Sequence, residues 1–179
     1  YKSRNVIVAT GYYDNANYMN VPGENLPKVF HYFKEAHPFA GKNCAVIGAG
    51  NSGVDVALEL FRTGAFVTMI VREDDIKKSV KYWVRPDIEN RLKEGSIKSY
   101  YNAEVTKITN KELFFKQKET EKKIKNDFVF AMTGYHPDFA FLEKIGIRIE
   151  KNCPVYSRKT LETNIKGLYL AGVVCGGME

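Results

Sequence analysis

The sequence predicts an α/β fold of three layers: a parallel sheet, helix packed on it, and a small antiparallel β insertion. Three observations carry this. An apolar strand pattern, Asn43 to Ile47, runs through a glycine turn into a helix pattern, and a second apolar run, Ala65 to Val71, follows at once. Strand, helix and strand within about 30 residues make a βαβ unit, whose strands are expected parallel and whose crossover right-handed. Between residues 99 and 132 come short β runs separated by polar gaps, the spacing of hairpins.

The elements follow in order. Val6 to Thr10 is a short β-branched run closed by Gly11, which predicts a buried strand. Residues 12 to 27 are rich in Asn, Pro and Gly and read as loop. Phe30, Phe33 and Ala36 stand at roughly helical spacing, so a short helix is expected over 28 to 37, stopped by Pro38. Asn43 to Ile47 is the next strand. The helix after it carries Val54, Ala57, Leu58 and Phe61 on one face, with Gly64 as its C-cap. Ala65 to Val71 is a second buried strand. Pro86 to Lys93 reads as a helix with proline in its first turn. Ser99 to Tyr101, Glu104 to Ile108, Glu112 to Lys116 and Asp127 to Met132 are the β runs expected to pair as hairpins. Asp138 to Ile145 is a short helix, and Gly167 to Ala171 a final strand.

Composition excludes several classes. A chain of 179 residues can bury a proper core, and 44% hydrophobic with 27% charged residues is ordinary for a globular protein. No apolar run reaches the length of about 18 residues that a membrane helix needs, and the start, YKSRNVIVATG, has no apolar signal region. The net charge is +6, but acids interleave with the lysines of KQKETEKKIKND, and no basic helix or aromatic-studded groove accompanies them. Nucleic acid is therefore not the expected partner. Three widely spaced cysteines, Cys44, Cys153 and Cys175, argue for a reducing, cytoplasmic setting. There is no Ser-His-Asp spacing, no CxxC and no metal-ligand cluster. His31, His37 and His136 are isolated and read as structural, and Cys44 lies inside a strand pattern as a small hydrophobe. No residue is assigned as catalytic or metal-binding.

The chemistry lies in the glycine turn. Gly48-x-Gly50-x-x-Gly53 follows a strand and opens a helix. Gly48 allows the tight turn, Gly50 lets a pyrophosphate approach the backbone, and Gly53 lets the helix pack on the strand. Free N–H groups of the first helical turn and the positive end of the helix dipole face the phosphates. Asn51 and Ser52 are expected to add side-chain donors. Which dinucleotide binds is decided after the second strand, at Arg72-Glu73-Asp74-Asp75-Ile76-Lys77-Lys78. A cation there pairs with the 2′-phosphate of NADP, and an acid accepts the ribose hydroxyls of NAD. Arg72, helped by Lys77 and Lys78, favours NADPH. Glu73 is the competing, NADH-type residue.

Two further motifs, Ala9-Thr10-Gly11 and Phe130-Ala131-Met132-Thr133-Gly134-Tyr135-His136-Pro137-Asp138, complete a resemblance. The chain resembles the middle of a flavoprotein of the thioredoxin reductase type, in which an NADPH domain is inserted into an FAD domain. Within that family, HYFKEAHPF (31 to 39), SVKYW (79 to 83) and FVFAMTGYHPDFAFLEKIGI (128 to 147) are similar to the bacillithiol disulfide reductase group. The resemblance implies a fragment: Tyr1 is not Met, and a strand pattern stands at each end. It implies an end of a first FAD segment plus linker at 1–36, an NADPH-binding domain at 37–134, and a returning FAD segment at 135–179. It places Thr10, Gly11, Thr133, Gly134 and Gly172 at the cofactors, with FAD held by the full-length protein. The implied reaction passes hydride from NADPH to flavin and electrons on to a small thiol disulfide, and the chain alone is expected to lack turnover. Relatives of this kind are often homodimers, so that is one expected state. Departures from the pattern are concrete. His31 and Lys34 stand where a thioredoxin reductase has its dithiol, and Val173 stands where the closing motif usually has an acid. A ferredoxin–NADP reductase of the same type and a non-enzymatic NAD(P)-sensing module are the alternatives.

Overall fold

The computed structural model describes residues 2–175. The chain divides into two compact units, one of Tyr18–Thr133 and one built from the flanking segments, up to Asn17 and from Gly134. The first thus takes in residues 18–36, part of the 1–36 stretch expected to hold the end of a first FAD segment plus linker. In chain order the strands and helices are β1 (Val6–Val8), β2 (Val29–Phe30), β3 (Asn43–Ile47), α1 (Asn51–Arg62), β4 (Phe66–Ile70), α2 (Arg85–Lys93), β5 (Lys98–Tyr100), β6 (Ala103–Ile108), β7 (Glu112–Gln117), β8 (Thr120–Lys125), β9 (Phe128–Ala131), α3 (Phe139–Lys144), β10 (Ile149–Glu150), β11 (Cys153–Pro154) and β12 (Leu168–Leu170).

The 18–133 unit is built on a five-stranded sheet in the order β2-β9-β3-β4-β5, and every neighbouring pair in it is parallel. A parallel strand in the middle of such a sheet is covered on both faces, which is why CAVI, after the exposed Asn43, and FVFA read as unbroken apolar runs. Alternation still sorts the side chains. Cys44, Val46, Val67, Met69 and Phe130 face α1 and α2, while Ala45, Ile47, Ile70 and Val129 face the antiparallel sheet β6-β7-β8 through Val105, Leu113 and Phe115. Helix, parallel sheet and antiparallel sheet are the three layers.

Helix α1 buries Val54, Ala57 and Leu58 as its stripe predicts, with Phe61 packed at the margin. Fully burying a Val or Leu side chain contributes about 1.5–3 kcal/mol. The helix ends in a Schellman pair: Gly64 N–H donates to Phe61 O and Ala65 N–H to Leu60 O, with Gly64 at φ +86°.

Three expectations are corrected. Residues 28–37 contain no α-helix. Val29–Phe30 is an edge strand on β9, and Pro38 opens a short 3₁₀ turn, His37–Phe39, rather than ending a helix. The spacing of Phe30 and Phe33 instead serves an aromatic cluster, for both rings pack on Phe130, as does Phe39. The β runs from 99 to 132 are not all hairpins, since β5 and β9 join the parallel sheet and only β6, β7 and β8 form the antiparallel insertion. Strand β8 escapes the sequence reading because TEKKIK holds one apolar residue, and its ladder with β7 is what makes it a strand. Finally, Val6 and Ile7 are 49% and 67% exposed, so β1 is buried only at Val8.

In the other unit, β1 pairs in parallel with β12, Val8 opposite Leu170. Helix α3 is N-capped by Asp138, whose carboxylate accepts from Phe141 N–H at 2.9 Å. β10 and β11 form a hairpin turned by Lys151 and Asn152, both at positive φ as a type I′ turn requires. Val8, Leu142, Ile147, Leu170 and Val174 form the core of this unit.

Candidate functional site

The glycine turn leaves the carboxyl end of β3. Gly48 takes φ +102°, its N–H donates to Ile70 O at 3.0 Å, and a Cβ there would lie 2.5 Å from Met132 O. A Cβ on Gly53 would lie 2.3 Å from Gly48 O. The chain's own backbone therefore fills the space that side chains at 48 and 53 would need. Gly50 differs. It is the N-cap of α1 in extended conformation, and the one atom within 4 Å of its missing Cβ is Lys77 Cδ at 3.9 Å. The middle glycine keeps a space open that the protein does not use. The first helical hydrogen bond, Val54 N–H to Gly50 O, leaves the N–H groups of residues 51 to 53 outside the ladder and at the positive end of the dipole.

Residues 72–84 fold back over this turn as a strap. Ile76 and Val80 are buried in the helix-side core, and Lys77 N–H donates to Ala49 O at 3.1 Å. Asn51, expected to donate to phosphate, has its side-chain amide engaged with the strap: Nδ2 donates to Ser79 O at 3.1 Å, and Oδ1 accepts from Lys81 N–H at 2.9 Å. Lys81 Nζ reaches Asp55 Oδ2 at 2.9 Å. Ser79, Lys81 and Asp55 join the site without a motif of their own in the sequence. The four-residue spacing of Ile76 and Val80 in a polar stretch was the available signal.

At the start of the strap, Arg72 is 77% exposed. Its Nη2 lies 3.6 Å from Glu73 Oε1, and Lys77 Nζ lies 3.6 Å from the same oxygen. One carboxylate oxygen thus stands between the two cations named from sequence. Ser52 and Lys78 are exposed. Thr133 follows β9 at the end of this unit.

In the other unit, Thr10–Gly11 and Gly172 follow β1 and β12 on the same side, since the strands are parallel and Ala171 N–H donates to Val8 O at 3.0 Å. A Cβ on Gly11 would lie 3.9 Å from Val173 Cγ2. Gly134 O accepts from Asn17 N–H at 2.9 Å. Among the described residues no group of three or more His, Cys, Asp or Glu side chains is placed to hold a metal ion, and no helix is long and apolar enough to cross a membrane. Burial, aided by Asp127, pushes the Cys44 thiol up to about 12, so it stays protonated and unreactive at neutral pH. Burial also raises the Cys175 thiol.

His31, where a dithiol would stand in a thioredoxin reductase, packs its ring 4.5 Å from that of Tyr18, with Nε2 3.6 Å from the buried Glu24 carboxylate. Glu24 also accepts the N–H groups of Met19 and Asn20 at 2.8 and 2.7 Å. Burial lowers the His31 pKa, partly offset by Glu24. The sign follows: the unfolded chain takes up the proton first, so the stability contributed by neutral His31 is present above about pH 6.5 and lost as pH falls below it. The melting temperature is expected to drop from about pH 7.5 to 5.5, and to drop less in His31→Phe. Equal slopes in the two proteins would reject a titrating His31.

A family profile described as pyridine nucleotide-disulphide oxidoreductase matches residues 1–172. The bacilliredoxin reductase Bdr of Bacillus subtilis (strain 168) is 53% identical over 174 residues, which is 96% of this chain and 54% of that protein. The structure of a bacillithiol disulfide reductase Bdr from Bacillus cereus superposes with TM-score 0.94 at 48% identity, over 97% of this chain and 54% of that one. The corresponding enzyme from Staphylococcus aureus gives 0.94 at 44% identity, over 98% and 56%. The chain spans about half the length of these relatives. With a glycine turn shaped by its own backbone and sequence and structure matches along nearly its whole length, the chain belongs to the pyridine nucleotide-disulphide oxidoreductase family.

Proposed function

We propose that this chain supplies the NADPH-binding part of an FAD-dependent, cytoplasmic disulfide reductase whose final acceptor is bacillithiol disulfide. The observation that carries the nucleotide assignment is the open space at Gly50, between two glycines whose side-chain space is filled by backbone. The relatives' names support the acceptor. Bound NADPH would supply hydride to the flavin of the intact protein. The residues here do the holding: the N–H groups of Asn51, Ser52 and Gly53 face the pyrophosphate, and Arg72 and Lys77 meet the 2′-phosphate. Thr10, Gly11, Thr133, Gly134 and Gly172 belong to the boundaries and turns that serve the flavin side. The chain's contribution is to position the cofactor rather than to supply acid–base chemistry.

Trp83 is the single tryptophan and is exposed on the strap, so it reports binding directly. NADPH is expected to quench its emission saturably by energy transfer, and the absence of saturable quenching would reject the assignment. On the full-length protein, NADPH oxidation is expected with bacillithiol disulfide and not with ferredoxin, and the reverse preference would overturn the acceptor. Glu73 gives a finer prediction. Its carboxylate neutralises both cations in the free chain, so a phosphate must compete with it. Glu73→Gln is expected to tighten NADPH roughly two- to fivefold, within the range of an exposed ion pair, and to weaken NADH. Weaker NADPH binding in this variant would show that Glu73 holds the ribose instead.

A further inference from the structure

We infer that Asn51 acts on the nucleotide as a positioning residue, by latching the 72–84 strap so that Lys77 is seated over the glycine turn. This rests on the assignment of that turn to a dinucleotide phosphate. Four observations point the same way. Both polar ends of the Asn51 amide are used on the strap, one on Ser79 O and one on Lys81 N–H. The backbone of Lys77 is tied to Ala49 O, inside the turn itself. The Lys77 side chain passes beside Gly50, with Cδ 3.9 Å from where a Cβ would stand. Lys81 adds a second fastening through Asp55, one helical turn beyond Asn51. The Oδ1 acceptor and one of the two Nδ2 hydrogens are committed to the strap, and the double-mutant cycle below decides whether the remaining N–H also touches a phosphate oxygen. The strap in turn carries Lys77, whose Nζ lies 3.6 Å from the Glu73 oxygen that also faces Arg72.

Charge makes this arrangement useful. Ile76 and Val80 anchor the strap by burial, but they leave Lys77, Lys78 and Ser79 between them, and Lys81 just beyond, to be held down by polar contacts. The two Asn51 bonds fix that span. Lys77 then meets the 2′-phosphate beside Arg72 without first paying for its own ordering.

Two measurements test the latch. In the first, NADPH affinity is read from Trp83 quenching in a double-mutant cycle. Asn51→Ala is expected to weaken binding roughly three- to tenfold, the range of one to two net hydrogen bonds. In a Lys77→Ala background the same substitution is expected to have almost no further effect, since the latch has no cation left to seat. Equal losses in both backgrounds would show that Asn51 touches the ligand itself and would overturn the inference, as would no loss at all. In the second, trypsin cleavage after Lys77, Lys78 and Lys81 is followed by mass spectrometry without nucleotide. Faster cleavage in Asn51→Ala than in the wild-type chain, at a melting temperature that shows both folded, is expected. Unchanged cleavage would overturn the latch. A wild-type chain that does not bind NADPH rejects the nucleotide assignment, while the trypsin rates still decide whether Asn51 holds the strap.

Discussion

Gly48→Ala is expected to destabilise the chain by about 2–6 kcal/mol, a large part of the 5–15 kcal/mol typical of a folded domain. Two separate costs meet at this position. The backbone is at φ +102°, where an L side chain is strained by about 1–3 kcal/mol. The added methyl also lies 2.5 Å from Met132 O, so β9 and the turn must move apart, an overpacking cost of about 1–3 kcal/mol. Met132 belongs to the segment just after β9, which is hydrogen-bonded between β2 and β3, so it has little freedom to give. Gly50→Ala is the control. Its backbone is one that any residue adopts, and its Cβ meets no atom closer than 3.9 Å. The N-cap preference of glycine over alanine costs folding at most about 1 kcal/mol. Its expected effect is on the ligand: a methyl in the phosphate's path should weaken NADPH about 5- to 150-fold, which is about 1–3 kcal/mol. Urea midpoints and Trp83 quenching measure both variants. A Gly48→Ala chain with a wild-type midpoint, or a Gly50→Ala chain with wild-type affinity, would separate the three glycines differently from the geometry.

The parts of this fold that sequence shows best are those where one physical requirement acts alone. CAVI must be apolar on both faces because it lies mid-sheet, and it is found as a strand at the residues expected. The stripe Val54, Ala57, Leu58 and Phe61 and the cap Gly64 likewise appear where the helical period places them. The failures come where two requirements share residues. Phe30 and Phe33 fit a helical period and also an aromatic cluster on Phe130, and the parallel pairing of β2 with β9 decides between them. β8 is a strand because β7 offers it a ladder, a long-range fact that TEKKIK does not carry. At the site, the glycines are legible because their missing side chains are the signal. The strap is not, because Asn51 bonds to backbone atoms of Ser79 and Lys81, and a backbone partner leaves no mark on residue identity.

Arg72→Ala is expected to weaken NADPH by about 1.5–3 kcal/mol, or roughly 10- to 150-fold, and to leave NADH nearly unchanged. The difference between the cofactors is the point. Both carry the pyrophosphate that the glycine turn holds, so any damage to the turn or to α1 would weaken them together. Only NADPH carries the 2′-phosphate that a guanidinium past β4 can meet bidentately. Arg72 is 77% exposed and stands 3.6 Å from Glu73, so removing it leaves no buried charge behind and folding should be unaffected. Exposure also means screening. Raising the salt from about 0.05 to 0.5 M should shrink the gap between wild type and variant, since the Debye length falls well below 10 Å. Lys77 shares the same carboxylate oxygen and stands on the strap, so Arg72→Ala with Lys77→Ala should lose more than either alone, and the residual preference for NADPH over NADH should vanish. Parallel titrations with the two cofactors decide it: equal weakening of NADPH and NADH by Arg72→Ala would remove the 2′-phosphate role and leave Glu73, with its ribose-type chemistry, as the residue that sets cofactor choice.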